Sequence, residues 1–230
     1  MHKFDKYIET DSMSRLVCDN YHVLLVMSRF GIGLGFGNCN IDEVCRDNGV
    51  DTKTFLAVVN MLLSENSGVP SEDEVSVESI LVYLHNSHEY FLRFRLPEIR
   101  NKLIQTVGQN DDLSKAIINY FDEYADEVHK HMKYEEDVVF PYIRKLLEGK
   151  KTSGYNIDIF GKKHEQVEAR LTEFKDILIR FYPSHSTNEL NSTLFDIFNC
   201  ENDLASHNKI EDRILIPAIA RLEGYKYVNI

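Results

Sequence analysis

Two segments of the chain repeat one pattern, and that pattern limits the folds open to it. Residues 131–141 read HMKYEEDVVFP and residues 207–217 read HNKIEDRILIP. Each runs His, any residue, Lys, any residue, Glu, a second acid, any residue, three apolar residues and Pro. The second copy begins 76 positions after the first, from 131 to 207. The same offset links His88 to His164, and each of these is followed by Glu. A doubled pattern of this kind marks an internal repeat, in which two equivalent elements face each other across one core.

Helix periodicity gives the repeat its chemistry. His131 and Glu135 stand at i and i+4, so on a helix both side chains leave one face, one turn apart. His207 and Glu211 do the same, and His88 and His164 add one imidazole each. If the four faces meet in the core of a bundle, four imidazoles and two carboxylates converge about a pseudo-twofold axis. A buried, uncompensated carboxylate costs several kcal/mol, and a metal ion offsets that cost. Imidazole with carboxylate suits iron ahead of zinc or manganese, and the lack of paired thiolates counts against an iron–sulfur cluster. Two glutamates that each bridge two ions supply the close metal–metal spacing of a dinuclear site. The candidate ligands are therefore His88, His131, Glu135, His164, His207 and Glu211. The implied cofactor is a pair of non-haem iron ions, carboxylate- and oxo-bridged, with room for a small ligand.

Taken singly, a core histidine is a hydrogen-bonded structural group, and an acidic run such as Glu135-Glu136-Asp137 is a solvated face. The matched spacing changes that reading. A zinc-protease motif is excluded, because Leu92 follows His88-Glu89 and Glu168 follows His164-Glu165 where HExxH requires His. His2, His22 and His185 are read as surface or loop residues, and His85 and His129 as neighbours of the ligands or solvent-facing. Tyr124 and Tyr142, near His131 and Glu135 on the same helix, are candidates to line the pocket.

Strand signals are weak, and long segments carry apolar residues at three- and four-residue spacing, so the fold class is all-α. Four long helices are expected at roughly 77–107, 112–148, 157–181 and 187–222, with Gly108, Gly149 and Gly224 as stops and a capping box at Ser186/Glu189. Pro97, Pro141 and Pro217 lie inside these patterns and are expected to kink or restart them. Helices of this length with short loops make an antiparallel four-helix bundle. Ahead of them, residues 1–65 read as a small helical domain, with one helix from Ser12 to about Phe30, one from Ile41 with an Asn40/Glu43 capping box, and one from Asp51 to about Leu63. The polar stretch 66–76 reads as a linker, and 77–230 as the bundle. The run Gly31-Ile-Gly-Leu-Gly-Phe-Gly37 does not fit GxGxxG and reads as a connector packed closely on the bundle.

Acidic residues outnumber basic ones 37 to 26, for a net charge of −11. That balance argues against a nucleic-acid surface and against an anionic membrane as partner. Apolar runs fall short of the roughly 20 residues that span a bilayer, and no secretory signal opens the chain. The four cysteines, at 18, 39, 45 and 200, form no metal spacing and are too sparse for a disulfide scaffold. The expected setting is a reducing cytoplasm, with free thiols.

On the pairs His131/Glu135 and His207/Glu211, each followed by an apolar-Pro end, together with His88 and His164, residues 77–230 resemble a hemerythrin-like (HHE cation-binding) domain. The set matches the four-His, two-Glu di-iron version typical of repair-of-iron-centres (iron–sulfur cluster repair di-iron) proteins. The fifth histidine of the oxygen-carrying hemerythrins has no counterpart placed here. The first third of the chain is similar to the small helical domain that precedes the bundle in the repair family. It departs from that family in one respect: where the family has an adjacent Cys-Cys pair, this chain has Gly35-Phe36, with single cysteines at 39 and 45. The resemblance implies protection or restoration of iron centres under nitric-oxide or oxidative stress, with O2 or NO as diatomic ligand and damaged iron–sulfur proteins as partners. The alternative it implies is a hemerythrin-like sensor or store of O2 or NO whose first domain relays the signal.

Overall fold

The computed structural model describes residues 6–63, 75–150, 155–157, 164–183 and 187–224, with backbone alone at 164–168 and 187. The expected linker, apart from 75–76, and the Ser186 cap lie outside the described residues. Eleven α-helices are described: α1 (Met13–Asp19), α2 (Val23–Arg29), α3 (Ile41–Asp47), α4 (Thr52–Leu63), α5 (Val77–Tyr90), α6 (Leu96–Val107), α7 (Asp112–Tyr134), α8 (Phe140–Leu147), α9 (His164–Phe181), α10 (Thr187–Ile210) and α11 (Ile216–Leu222). Among the described residues there is no strand, and the extended pairing is a single bridge between Ser12 and Asn40. The fold is all-α, as the spacing requires. The chain divides into two compact units, one of residues 1–87 with Ile210–Ala218, the other of residues 88–209 with 219–230.

In the first unit the expected helix Ser12–Phe30 is two helices. Asn20 ends α1 by donating its N–H to the Leu16 carbonyl and leaves the helical region (φ −145°, ψ 81°), so α2 starts afresh after His22. The Asn40/Glu43 capping box is present and opens α3, with Glu43 N–H to Asn40 Oδ1 at 2.8 Å and Asn40 N–H to Glu43 Oε2 at 2.9 Å. Phe30 packs against Phe55 and Tyr83 at ring distances of 5.6 and 4.9 Å. The buried Arg29 reaches the Tyr83 hydroxyl at 3.3 Å, and Asn86 Nδ2 donates to the Arg29 carbonyl at 2.7 Å, fastening α2 to α5. The glycine run is not a close-packing surface. A Cβ at Gly31, Gly33, Gly35 or Gly37 would meet no atom within 4 Å. Three of the four instead sit at φ of +75°, +99° and +59°, the left-handed region where glycine carries no steric penalty.

The second unit carries the bundle core. Ile99, Leu103 and Val107 of α6, Ile117, Phe121, Tyr124, Val128 and Met132 of α7, Leu171, Phe174 and Leu178 of α9, and Ile197, Cys200 and Leu204 of α10 form one apolar cluster. Each set recurs every three or four residues, so each helix gives one face to a shared interior. Ion pairs ring it: Arg95 and Lys102 meet Asp196 at 3.2 and 2.5 Å, and Arg170 meets Glu127. Burial of the aliphatic and aromatic faces, rather than these partly exposed pairs, holds the helices together.

The three internal prolines neither break the helices nor restart them. Each follows a five-residue π turn: Phe91–Arg95 before Pro97, Glu135–Val139 before Pro141, and Glu211–Leu215 before Pro217. In each, the residue just ahead of the proline (Leu96, Phe140, Ile216) donates its N–H five residues back, to Phe91, Glu135 and Glu211. Proline has no N–H to give, and in an α-helix its ring clashes with the carbonyl four residues earlier. Those carbonyls belong to Arg93, Asp137 and Arg213, the middle residue of each π turn. Widening the turn there removes the clash at the cost of one hydrogen-bond register, and the helix continues.

Candidate metal centre

Two of the π turns begin on the glutamates singled out by the repeat. Glu135 ends α7 and opens its turn, and Glu211 does the same after α10. Both are fully buried, as are His88 and His207 to within 2% of their surface. Within the second unit, one ligand-type atom from each of His88, Glu135 and His207 lies within 4.8 Å of the others.

Glu135 is the centre of this arrangement. Its Oε2 lies 2.8 Å from His88 Nε2, and its Oε1 lies 2.8 Å from His131 Nε2. One carboxylate thus turns each oxygen towards a different imidazole. Neither oxygen receives a hydrogen bond among the described residues, although both are buried. Buried carboxylate oxygens are almost always hydrogen-bonded or metal-bound. The donor set fits a metal on that ground and on its chemistry: imidazole nitrogens and carboxylate oxygens, with no sulfur.

The walls are aromatic. Phe140, on the far side of the π turn, stacks on His88 with ring centroids 5.5 Å apart and planes 9° from parallel. Phe91 meets His207 edge-on at 6.0 Å, and the His88 and His207 rings are 5.1 Å apart. Residues Phe91 and Phe140 belong to or adjoin the π turns, so the backbone feature that accommodates proline also sets these rings against His207 and His88.

The other expected residues fall as follows. His131 lies against Glu135, with its side chain 7% exposed. His164 opens α9, and its side chain lies outside the described residues. His85 and His129 are exposed, as is His22 at the start of α2, and His2 and His185 lie outside the described residues. Tyr124 is part of the apolar core, 6.0 Å from the Phe121 ring. Tyr142 turns its hydroxyl to Glu223 and its ring to Tyr155 at 4.8 Å. Glu223 also accepts the Ile157 N–H at 3.1 Å, which ties the segment ahead of α9 to the end of α11. Burial first, then its hydrogen-bonded pairing with Tyr134, raises the Tyr155 phenol above its usual range and keeps it neutral.

Glu136 was not among the expected site residues. Its Oε1 stands 2.7 Å from His88 Nδ1. The signal that would have found it is the second acid of the repeat, which recurs as Asp212 at the same offset of 76 (136 to 212).

No disulfide joins the four cysteines: Cys18 is exposed, Cys39 half-buried, and Cys45 and Cys200 buried. Burial pushes the Cys45 thiol up to about 12, so it is protonated and unreactive at neutral pH.

Residues 79–219, from α5 into α11, match the Hemerythrin HHE cation binding domain. The chain belongs to this family. All six candidate residues derived from the repeat fall within the match. The hemerythrin-like chain is also similar to the iron-sulfur cluster repair protein ScdA of Staphylococcus haemolyticus (strain JCSC1435), at 20% identity over 78% of this chain and 83% of that protein. Among the described residues, no helix of this HHE-domain protein is long and apolar enough to cross a membrane.

Proposed function

We propose that the chain is a non-haem di-iron protein acting in the repair of iron–sulfur centres or in the response to nitric-oxide or oxidative stress, in the cytoplasm. The observation that carries this reading is the buried Glu135 carboxylate, with one oxygen toward His88 and the other toward His131. A carboxylate so placed could serve two ions at once, and Glu211 is its counterpart in the second repeat. His88, His131, His207 and, by its offset, His164 would be the terminal ligands. Iron held there supplies one-electron redox change and an open position for a diatomic ligand.

The protein's own contribution is to fix and shield the ligands. Burial of both carboxylates favours binding of cations over hydration of the empty cluster. The Phe140 ring stacked on His88 and the Phe91 edge against His207 restrict ring rotation and keep bulk water from those imidazoles. The similarity to a protein named for iron–sulfur cluster repair supports damaged iron–sulfur proteins as partners.

Protein purified without oxygen is expected to carry two iron ions per chain by elemental analysis, and on oxidation to show an oxo-bridge-to-iron absorption band. A preparation with no iron, and no uptake on anaerobic reconstitution, would overturn the reading.

A second reading is favoured by the cysteines. Cys39 and Cys45 are separate, and Cys45 is buried, so the chain lacks a reactive adjacent pair. A sensor or store of O2 or NO needs none. Multiple turnovers of NO by the reduced protein support repair-type chemistry, whereas one equivalent bound without turnover supports the sensor.

A further inference from the structure

One imidazole in the cluster is held from both edges by consecutive residues. His88 Nε2 faces Glu135 Oε2 at 2.8 Å, and His88 Nδ1 faces Glu136 Oε1 at 2.7 Å. On a regular α-helix neighbouring side chains diverge by roughly 100°. Here the two carboxylates are the first two residues of a π turn, and both reach the same ring. They differ in surroundings: Glu135 is fully buried, while the Glu136 side chain is 29% exposed at the rim.

The chemistry of the pair assigns the ring's proton. An ionised carboxylate accepts hydrogen bonds and donates none. A 2.7 Å contact between it and Nδ1 therefore requires the hydrogen on Nδ1. The 2.8 Å approach of Nε2 to Glu135 is not a hydrogen bond, since neither Glu135 oxygen receives one among the described residues, so the neutral ring keeps its Nε2 lone pair on that opposite edge, toward Glu135 and His207. A ring that could flip or change tautomer would present an N–H there instead, and an N–H cannot ligate.

We infer that Glu136 is a positioning residue, which accepts the Nδ1 hydrogen of His88 and so holds that imidazole in the one tautomer and orientation that binds metal. The inference rests on the metal reading above and goes beyond it in giving a role to a residue outside the ligand set. Phe140 stacked on the flat of the same ring completes the hold. Edge and face are both fixed before a metal arrives, which lowers the cost of ordering the ligand.

The test uses the full chain and zinc, a diamagnetic stand-in for the ferrous ion. Glu136→Ala and Glu136→Gln are compared with wild type and with Asp137→Asn. Asp137 carries the same charge one residue on but pairs with Lys133 at 2.6 Å. In chelator competition both Glu136 variants are expected to lose about 10–100-fold in zinc affinity, the range found when such partners of metal-bound histidines are removed. Asp137→Asn is expected to stay within about 2-fold, as a partly exposed charge away from the ring. In zinc-loaded protein labelled with 15N-histidine, wild type is expected to show a protected Nδ1–H on His88 that Glu136→Ala lacks. A purely structural role would leave that signature in place. Wild-type affinity and an unchanged Nδ1–H in both Glu136 variants would overturn the role of Glu136 alone. Failure of wild type to take up zinc or iron would overturn the metal reading, and this inference with it.

Discussion

Glu135→Gln is expected to abolish the proposed dinuclear centre, with bound iron falling from the two ions per chain expected of wild type to one or none and affinity for the remaining ion dropping on the order of 100-fold or more. Glutamine keeps the size and shape of the side chain but offers one neutral oxygen and, on the other side, an NH2 group that only donates. The native carboxylate turns one oxygen to His88 and the other to His131, and the amide can serve only one of them. Glu211→Gln is expected to act alike, because that residue is as fully buried and opens the equivalent π turn of the second repeat. Elemental analysis after anaerobic reconstitution measures the effect, and two irons retained in both variants would refute the bridging assignment. Stability carries a second signature of opposite sign. Stripped of metal, wild type keeps two acidic side chains buried in its interior at a net cost. Chelator-treated variants should therefore unfold no earlier than chelator-treated wild type, whereas with iron bound the wild type should unfold later.

The second large effect is in the apolar core. Phe174→Ala is expected to destabilise the protein by about 3–5 kcal/mol, the range for deleting a buried phenylalanine ring. Phe174 is fully buried on α9, stacked on Tyr120 at 5.5 Å and tilted against Phe121 at 5.6 Å, both on α7. Losing the ring removes those contacts together and loosens α9, the helix that begins at His164. Denaturant unfolding of the metal-free protein gives the number directly, and iron uptake should weaken in parallel. A loss below about 1 kcal/mol would mean that α7 and α9 are not packed as a close-fitting core.

Much of this was legible before any coordinates, for identifiable reasons. Residues 77–107 and 187–222 are helical over the expected spans because apolar residues recur at helical spacing between polar faces, and Gly108 closes the first of them in a left-handed conformation. The pairing of His131 with Glu135 follows from the i, i+4 rule and survives because the α-helix runs unbroken to Tyr134. What could not be read is hydrogen-bond register. The prolines announce a disturbance, but local propensity does not say whether the helix stops, bends or widens, since the choice depends on whether packing on both sides rewards continuity. The break at Asn20 inside 12–30 is of the same kind, because a polar turn residue ended a pattern whose apolar spacing ran on. Glu136 was hidden for a related reason. By α-helical spacing it points away from Glu135, and only the wider turn lets both acids reach one ring.

The π turns also act as phase shifters. Each inserts one residue into a helical turn, so everything beyond it is rotated by roughly 100° relative to a straight α-helix. Along α7 the buried positions 121, 124, 128, 132 and 135 lie on one stripe, and beyond the turn the stripe resumes at 139, 140 and 143. A helical wheel drawn straight through Glu135 would keep 139 and 143 near that stripe but turn Phe140, the ring stacked on His88, roughly 100° away from it. Deleting a single residue inside the turn would therefore do what few deletions in a helix do. It would restore ordinary hydrogen bonding only by driving the proline ring back into the carbonyl four residues before it, or by turning the Phe140 wall away from His88. The ligand-bearing half of each helix and its proline-bearing half are geared to one another through that one extra residue.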